Sequence, residues 1–222
     1  MALTGGTFQY VPRIALYLVG TLVAVVPAWG QPGGTTPVRL FDGQSLKGWQ
    51  VAEELFFRDH GLVRVVDGKI VLEAGDPATG IVWQGEMPRE NYELVVEAAR
   101  LDGSDFFCGI TFPVGDSYCT FIAGGWGGGV VGLSNIDGLS AVENETTGYH
   151  DFRPNTFYTL RVRVTPDAVK VHIDQKETVS VSRAGKKFSI WFEQEPMRPL
   201  GIASWQTKAA IRRVELVRLP AR

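Results

Sequence analysis

The sequence predicts an all-β protein built as an antiparallel β-sandwich. Three observations carry that expectation. Short segments alternate apolar and polar residues with a period of two, turns rich in Gly, Pro and Asp separate them, and no long amphipathic helix interrupts them. "YELVVEAARL" (92–101) puts Tyr92, Leu94, Val96 and Ala98 on one face. "TLRVRVTP" (159–166) turns Leu160, Val162 and Val164 inward and Arg161 and Arg163 outward, and "AVKVHID" (168–174) repeats the pattern with Val169, Val171 and Ile173. "TPDA" joins these two as a turn. "VDGK" (66–69) holds the Asp-Gly pair of a tight hairpin.

The N-terminal segment has a different character. Met1–Arg13 contains no acid and one base, Arg13, and "IALYLVGTLVAVVPA" (14–28) is free of charge. That run is short for a membrane span and suits the apolar region of a signal peptide. Ala28 and Gly30 supply small residues before Gln31. Residues 1–30 are therefore read as a signal peptide, 31–37 ("QPGGTTP") as a flexible leader and 38–220 as a single β-sandwich domain. An uncleaved anchor is the alternative. The expectation is an exported protein, periplasmic or extracellular, free of the membrane after cleavage. With Lys+Arg 22 against Asp+Glu 24, the chain has no basic excess to hold nucleic-acid phosphates. A neutral or weakly polar ligand fits better.

"FFCGITF" and "SYCTFI" read as two strands joined by "PVGD". With Phe112 opposite Ser117, Cys108 opposes Phe121 and Cys119 opposes Ile110. The cysteines then share a face on a diagonal, where neighbours lie roughly 7–8 Å apart. Two buried thiols and a bridge are both open in an exported chain. The core face of this hairpin holds Cys108, Ile110, Phe112, Cys119 and Phe121. Its other face shows Phe107, Thr111, Tyr118, Thr120 and Ile122, an aromatic and hydroxyl-bearing set that a second layer or a ligand should cover.

"AGGWGGGVVG" (123–132) sets one tryptophan among glycines. A phosphate-binding loop should lead into a helix, and this one leads into an apparent strand with no following Gly-Lys-Ser/Thr. Two readings remain. Either the glycines leave room for Trp126 to stack on a sugar, or they make a tight connection in which Trp126 plugs the sandwich edge.

Other segments carry polar chemistry. "SAVENETTGYHDF" (140–152) gathers Glu143, Asn144, Glu145, His150 and Asp151, and alternation would put Glu143 and Glu145 on one face. A solvated strand edge is the competing reading. "FEQEP" (192–196) alternates Glu193 and Glu195 beside Trp191, with a structural role favoured over paired catalytic acids. Trp205 and Gln206 form an aromatic–amide pair suited to a sugar, or equally to core packing with a satisfied amide. His60 reads as part of a turn and His172 as an outward residue. No structural zinc array is expected from three scattered histidines. No cofactor is predicted, with a divalent metal, such as a calcium held by backbone carbonyls and Asp105 or Asp116, as the alternative.

The chain opens on "LFDGQSLKGW" (40–49), carries "NYELVVEAARL" and "FFCGITF" in its middle, and closes on "PLGIASWQTKAAIRRVELVRL". In this order it resembles the domain of unknown function 1080 family, also called the 3-keto-disaccharide hydrolase or 3-keto-glucoside lyase/hydratase family. The resemblance spans roughly residues 38–220. The middle region is similar to exported proteins of planctomycete-type bacteria. The resemblance implies a concanavalin A-like jelly-roll and work on sugars. It implies cleavage of a glycoside already oxidised at C3, in which a base removes the acidified C2 proton, the C1 substituent leaves and water adds back. The local chemistry of the residues then suggests Glu143 or Glu145 as base and His150 as acid or donor, with Trp126, Tyr118, Asn144, Trp205 and Gln206 holding the sugar. A non-catalytic carbohydrate-binding sandwich with Trp126, Tyr118 and Trp205 as its platform is the alternative function. A structural envelope domain with buried tryptophans is a third.

Overall fold

The computed structural model describes residues 1–2 and 36–220. The signal-peptide reading of residues 1–30 and most of the 31–37 leader lie outside the described residues. In chain order the first strands are β1 (Val38–Arg39), β2 (Trp49–Val51), β3 (Val63–Val66), β4 (Lys69–Leu72), β5 (Ala78–Trp83), β6 (Tyr92–Asp102) and β7 (Cys108–Val114). They continue as β8 (Ser117–Gly125), β9 (Val130–Ser134), β10 (Gly148–Tyr149), β11 (Tyr158–Val164), β12 (Ala168–Ile173), β13 (Lys176–Ser182), β14 (Gly201–Trp205) and β15 (Lys208–Arg218). The helical segments among the described residues are two 3-10 turns, Leu55–Phe57 and Phe192–Met197.

The strands form two antiparallel sheets. The first runs β13-β12-β11-β6-β15-β4-β3, with β1 pairing beside β15, and the second runs β10-β9-β8-β7-β14-β5-β2. Their facing sides make one core. The period-two residues land there as the sequence requires: Tyr92, Leu94, Val96 and Ala98 from β6, Leu160, Val162 and Val164 from β11, and Val169, Val171 and Ile173 from β12. The second sheet contributes Cys108, Ile110, Phe112, Cys119 and Phe121 to the same core. The architecture is the all-β jelly-roll sandwich expected.

Three details differ from expectation. The β7–β8 turn is tighter, with Val114 opposite Ser117, so Phe112 faces Cys119 and Cys108 faces Ala123. The shift is by two residues, which preserves the faces but moves the cysteines further apart along the ladder. Both are free, buried thiols. Phe107 lies just before β7, outside the alternation, and turns into the main core. The segment 192–196 is not a strand: Phe192–Met197 winds into a 3-10 turn.

The outer face of the second sheet builds the site. Thr120 pairs with Ser134 on one side and Thr111 on the other, giving a row of hydroxyls across three strands. The adjacent row contains Gly132, Ile122, Gly109, Ala203 and Gly80. Small residues there let covering segments lie close. A Cβ on Gly80 would meet Met197 and Phe57, and one on Gly132 would sit 3.0 Å from the Ala141 carbonyl. The two 3-10 turns and the 135–147 loop thus roof this face. A second apolar cluster forms under them, including Phe57, Phe106, Ile122, Met197 and Ala203 with Trp205 against it.

Candidate functional site

The roof is incomplete above Thr120 and Ile122, and a cavity of about 320 Å³ opens there. That is near the lower end of small-ligand pockets, which run from about 300 to 1,000 Å³. Thr120, Ile122 and Ser134 form its floor. Asp105 and Phe106 enter from the β6–β7 connection, Trp126 from the β8–β9 turn and Trp205 from the end of β14. Trp191, Glu193 and Gln194 come down from the segment around the second 3-10 turn. The second apolar and hydroxyl-bearing hairpin face noted in the sequence is thus partly roofed and partly open.

Three indoles line this one cavity. Trp126 is 47% exposed and Trp191 43%, while Trp205 is half-buried. Trp205 is held by Phe56, whose ring stacks on it at 5.9 Å, and by Phe106 at 6.1 Å. Such surfaces suit the apolar face of a pyranose ring.

Polar groups face the same space. Glu193 lines the cavity with its Oε2 buried and without a hydrogen-bond partner. Gln194 beside it is 6% exposed, and its Oε1 is likewise unpartnered. Buried polar atoms in folded proteins are nearly always satisfied, so two orphans on adjacent cavity-lining residues leave acceptors for a water or a ligand in the cavity. Ser134 Oγ accepts the Ala141 N–H at 3.0 Å, which leaves its own proton for a ligand. Asp105 accepts the Phe106 N–H through Oδ1 at 2.7 Å and has its second carboxylate oxygen for other partners.

The structure separates the residues that sequence reasoning had grouped. Trp126 and Trp205 line the cavity. Glu143, Asn144, Glu145, His150, Tyr118 and Gln206 are not among its lining residues. Residues 141–147 form turns rather than a strand, so Glu143 and Glu145 do not alternate along one face. Glu143 is tied to Ser140, accepting from its hydroxyl at 2.5 Å; that bond and one from the Ser140 N–H hold its carboxyl below the usual carboxylate range. Glu145 pairs with Lys186 at 3.1 Å. Asn144 is a buried staple: Nδ2 donates to the carbonyls of Leu133, Leu139 and Ser140, and Oδ1 accepts from the Thr146 N–H and hydroxyl. His150 packs its ring against Phe152 at 4.5 Å and Tyr158 at 5.3 Å. Tyr118 lies under the guanidinium groups of Arg89 and Arg198. Gln206 sits in the β14–β15 turn at φ +44° and donates its N–H to the Pro77 carbonyl.

The cavity residue with the most telling chemistry, Glu193, stands in "WFEQEP", where strand alternation pairs it with Glu195. Its partner Glu195 is instead ion-paired with Arg198. Among the described residues no three His, Cys, Asp or Glu side chains gather to hold a metal ion.

The sequence matches the 3-keto-alpha-glucoside-1,2-lyase-like domain model over residues 36–217. The chain belongs to that family. No curated protein matches it. Solved structures with the same fold are distant in sequence. They include a Crh5 transglycosylase in complex with NAG, at 14% identity and TM-score 0.55, covering 83% of this chain and 84% of that one. SCLam, a non-specific endo-beta-1,3(4)-glucanase from family GH16, shares 11% identity at TM-score 0.54 and covers 84% and 91%. The Emp46p carbohydrate recognition domain, potassium-bound form, shares 13% identity at TM-score 0.51 and covers 81% and 94%. At these identities the likeness is one of fold.

Proposed function

We propose that the protein cleaves a glycoside oxidised at C3, with the sugar seated among Trp126, Trp191 and Trp205. The observation that carries this reading is the buried, unpartnered carboxylate oxygen of Glu193 on the wall of an indole-lined cavity. A C3 ketone acidifies the neighbouring C2–H. Glu193 takes that proton, and the C2–H electron pair forms an enolate. When the enolate collapses, the C3 ketone returns, a C1–C2 double bond forms, and the C1–O bond breaks. The Glu193 carboxyl, which now holds the C2 proton, returns it to the departing oxygen. Water then adds at C1 of the unsaturated ketone and C2 is reprotonated. The Ser134 and Thr120 hydroxyls and the Gln194 amide are the available donors to the enolate oxygen.

Membership of the 3-keto-alpha-glucoside-1,2-lyase-like family supports this assignment, and fold relatives that act on glycans are consistent with it. The base is thus proposed to be Glu193 rather than Glu143 or Glu145. The sequence features of residues 1–30 support an exported site of action. A panel of 3-keto-glycosides offered to the purified protein tests the reading. Wild type should release the C1 substituent, and Glu193→Gln should lose that release while keeping its fold. Undiminished turnover in Glu193→Gln would overturn it.

A second reading rests on the indoles themselves. Two of the three are nearly half exposed, as a binding platform requires. A carbohydrate-binding module predicts saturable binding of plain glycans, weakened by Trp126→Ala, with no turnover of any 3-keto-glycoside.

A further inference from the structure

Trp126 stands in an unusual backbone setting. It occupies the left-handed region at φ +47°, flanked by Gly124 at +81°, Gly127 at +89° and Gly128 at +105°. A bulky residue seldom takes that conformation unless its surroundings fix it. What lies beneath the turn is the Arg100 side chain, which reaches across from β6 in the opposite sheet. Arg100 is 8% exposed. Its Nη2 donates to the Gly124 carbonyl at 3.1 Å and to the Gly128 carbonyl at 2.6 Å, the two sides of the turn that carries Trp126. Its guanidinium lies 5.4 Å from the centre of the Phe107 ring, which walls it in from the core. Its Nε is buried and has no partner.

The glycines complement this arginine. A Cβ on Gly124 would stand 2.3 Å from Arg100 Nη2, and one on Gly128 would stand 3.0 Å from Nη1. Gly129 leaves room for the Tyr149 ring in the same way, with a virtual Cβ 2.0 Å from it. The glycine run therefore accommodates a buried cation and a ring rather than conferring looseness. Desolvating a guanidinium is costly, and the structure retains it where two carbonyls bracket one cavity-facing indole.

We propose that Arg100 is a positioning residue that fixes Trp126 in its stacking orientation before the sugar arrives. The inference rests on the reading that Trp126 faces a bound sugar, and it adds a residue of the opposite sheet, outside the cavity lining, to that site. A preset platform lowers the ordering cost of binding. Arg100 thus acts on affinity through Trp126 and not on the proton-transfer step.

The test combines Arg100→Met, which removes both hydrogen bonds, Arg100→Lys, which keeps a cationic donor one bond shorter, and Gly128→Ala, which perturbs the contact from the turn. The first readout is fluorine NMR of protein labelled with fluorotryptophan, the Trp126 signal being assigned with Trp126→Phe. One sharp Trp126 signal is expected in wild type and a shifted or broadened one in Arg100→Met and Gly128→Ala. The second readout is the affinity for methyl glucoside and, where turnover occurs, KM against kcat for its 3-keto form. Arg100→Met should weaken binding roughly five- to tenfold, the worth of one aromatic contact, with kcat unchanged and partial recovery in Arg100→Lys. In a Trp126→Ala background, Arg100→Met should have no further effect on affinity. An unaltered Trp126 signal in both Arg100→Met and Gly128→Ala overturns the proposal, as does an undiminished affinity loss in the Trp126→Ala background. The NMR arm needs no turnover, so failure of the proposed reaction and failure of the positioning role give different results.

Discussion

The hydroxyls of Thr111 and Thr120 meet at 2.9 Å on the outer face of the second sheet, and Thr120 continues as the floor of the indole-lined cavity. The pair belongs to neighbouring strands in register, so the sheet itself fixes the floor. The walls come from three connections, carrying Asp105 and Phe106, Trp126, and Trp191 to Gln194, and from the end of β14, which carries Trp205. A rigid floor with loop-borne walls is the usual division between scaffold and site.

The indoles should separate by role. Trp126 is nearly half exposed, so Trp126→Ala should weaken sugar binding roughly tenfold with little loss of stability. Trp205 also packs on Phe56 and Phe106, so Trp205→Ala should weaken binding and cost about 2–3 kcal/mol of folding stability. Ligand titration and thermal denaturation of both variants check this together. Equal stability losses would contradict the arrangement.

The carboxylates outside the cavity serve as controls. Glu143 is engaged by Ser140 and Glu145 by Lys186. Glu143→Gln and Glu145→Gln should leave kcat and KM for a 3-keto-glycoside within about twofold of wild type, because neither group lines the cavity. A large loss of kcat in either would return the base to this segment.

The hairpin faces, the strands and the sandwich were legible because burial on one side of a strand imposes alternation that a reader can count. The cavity was only partly legible. Trp126 and Trp205 announced themselves as aromatics beside glycine or amide neighbours. Glu193 did not, because a 3-10 turn containing Pro196 replaces the strand that alternation suggested, and its role depends on cover from distant segments. Asn144 and His150 are the opposite case. Polar residues in a loop resemble a site, yet these two hold the loop and a ring cluster. The cysteine geometry turned on a turn shorter by two residues, which local pattern alone did not fix.

Asn144 makes its contribution to the fold rather than to binding. Removing its amide leaves three carbonyls and the Thr146 donors without that partner. Asn144→Ala should therefore lower stability by roughly 2–4 kcal/mol. Denaturant unfolding measures it, and a loss below about 1 kcal/mol would show that the staple is dispensable.

The cysteines should behave as core residues. Burial pushes both thiols well above the usual thiol range, and no bridge joins them. Native protein should not react with Ellman's reagent at mildly alkaline pH, and both thiols should react once denaturant is added. Rapid labelling of the native state would mean that the sheet opens at Cys108 or Cys119.

The central claim is proton abstraction at C2 in this cavity, and the isotope at that carbon tests it most directly. A 3-keto-glycoside turned over in deuterated water is followed by NMR, with enzyme-free 3-keto-sugar as the exchange control. Elimination followed by hydration predicts deuterium at C2 of the released sugar at the rate of turnover, and loss of both in Glu193→Gln. Release of the sugar with its original C2 proton would contradict the account, because direct hydrolysis at C1 never touches that bond.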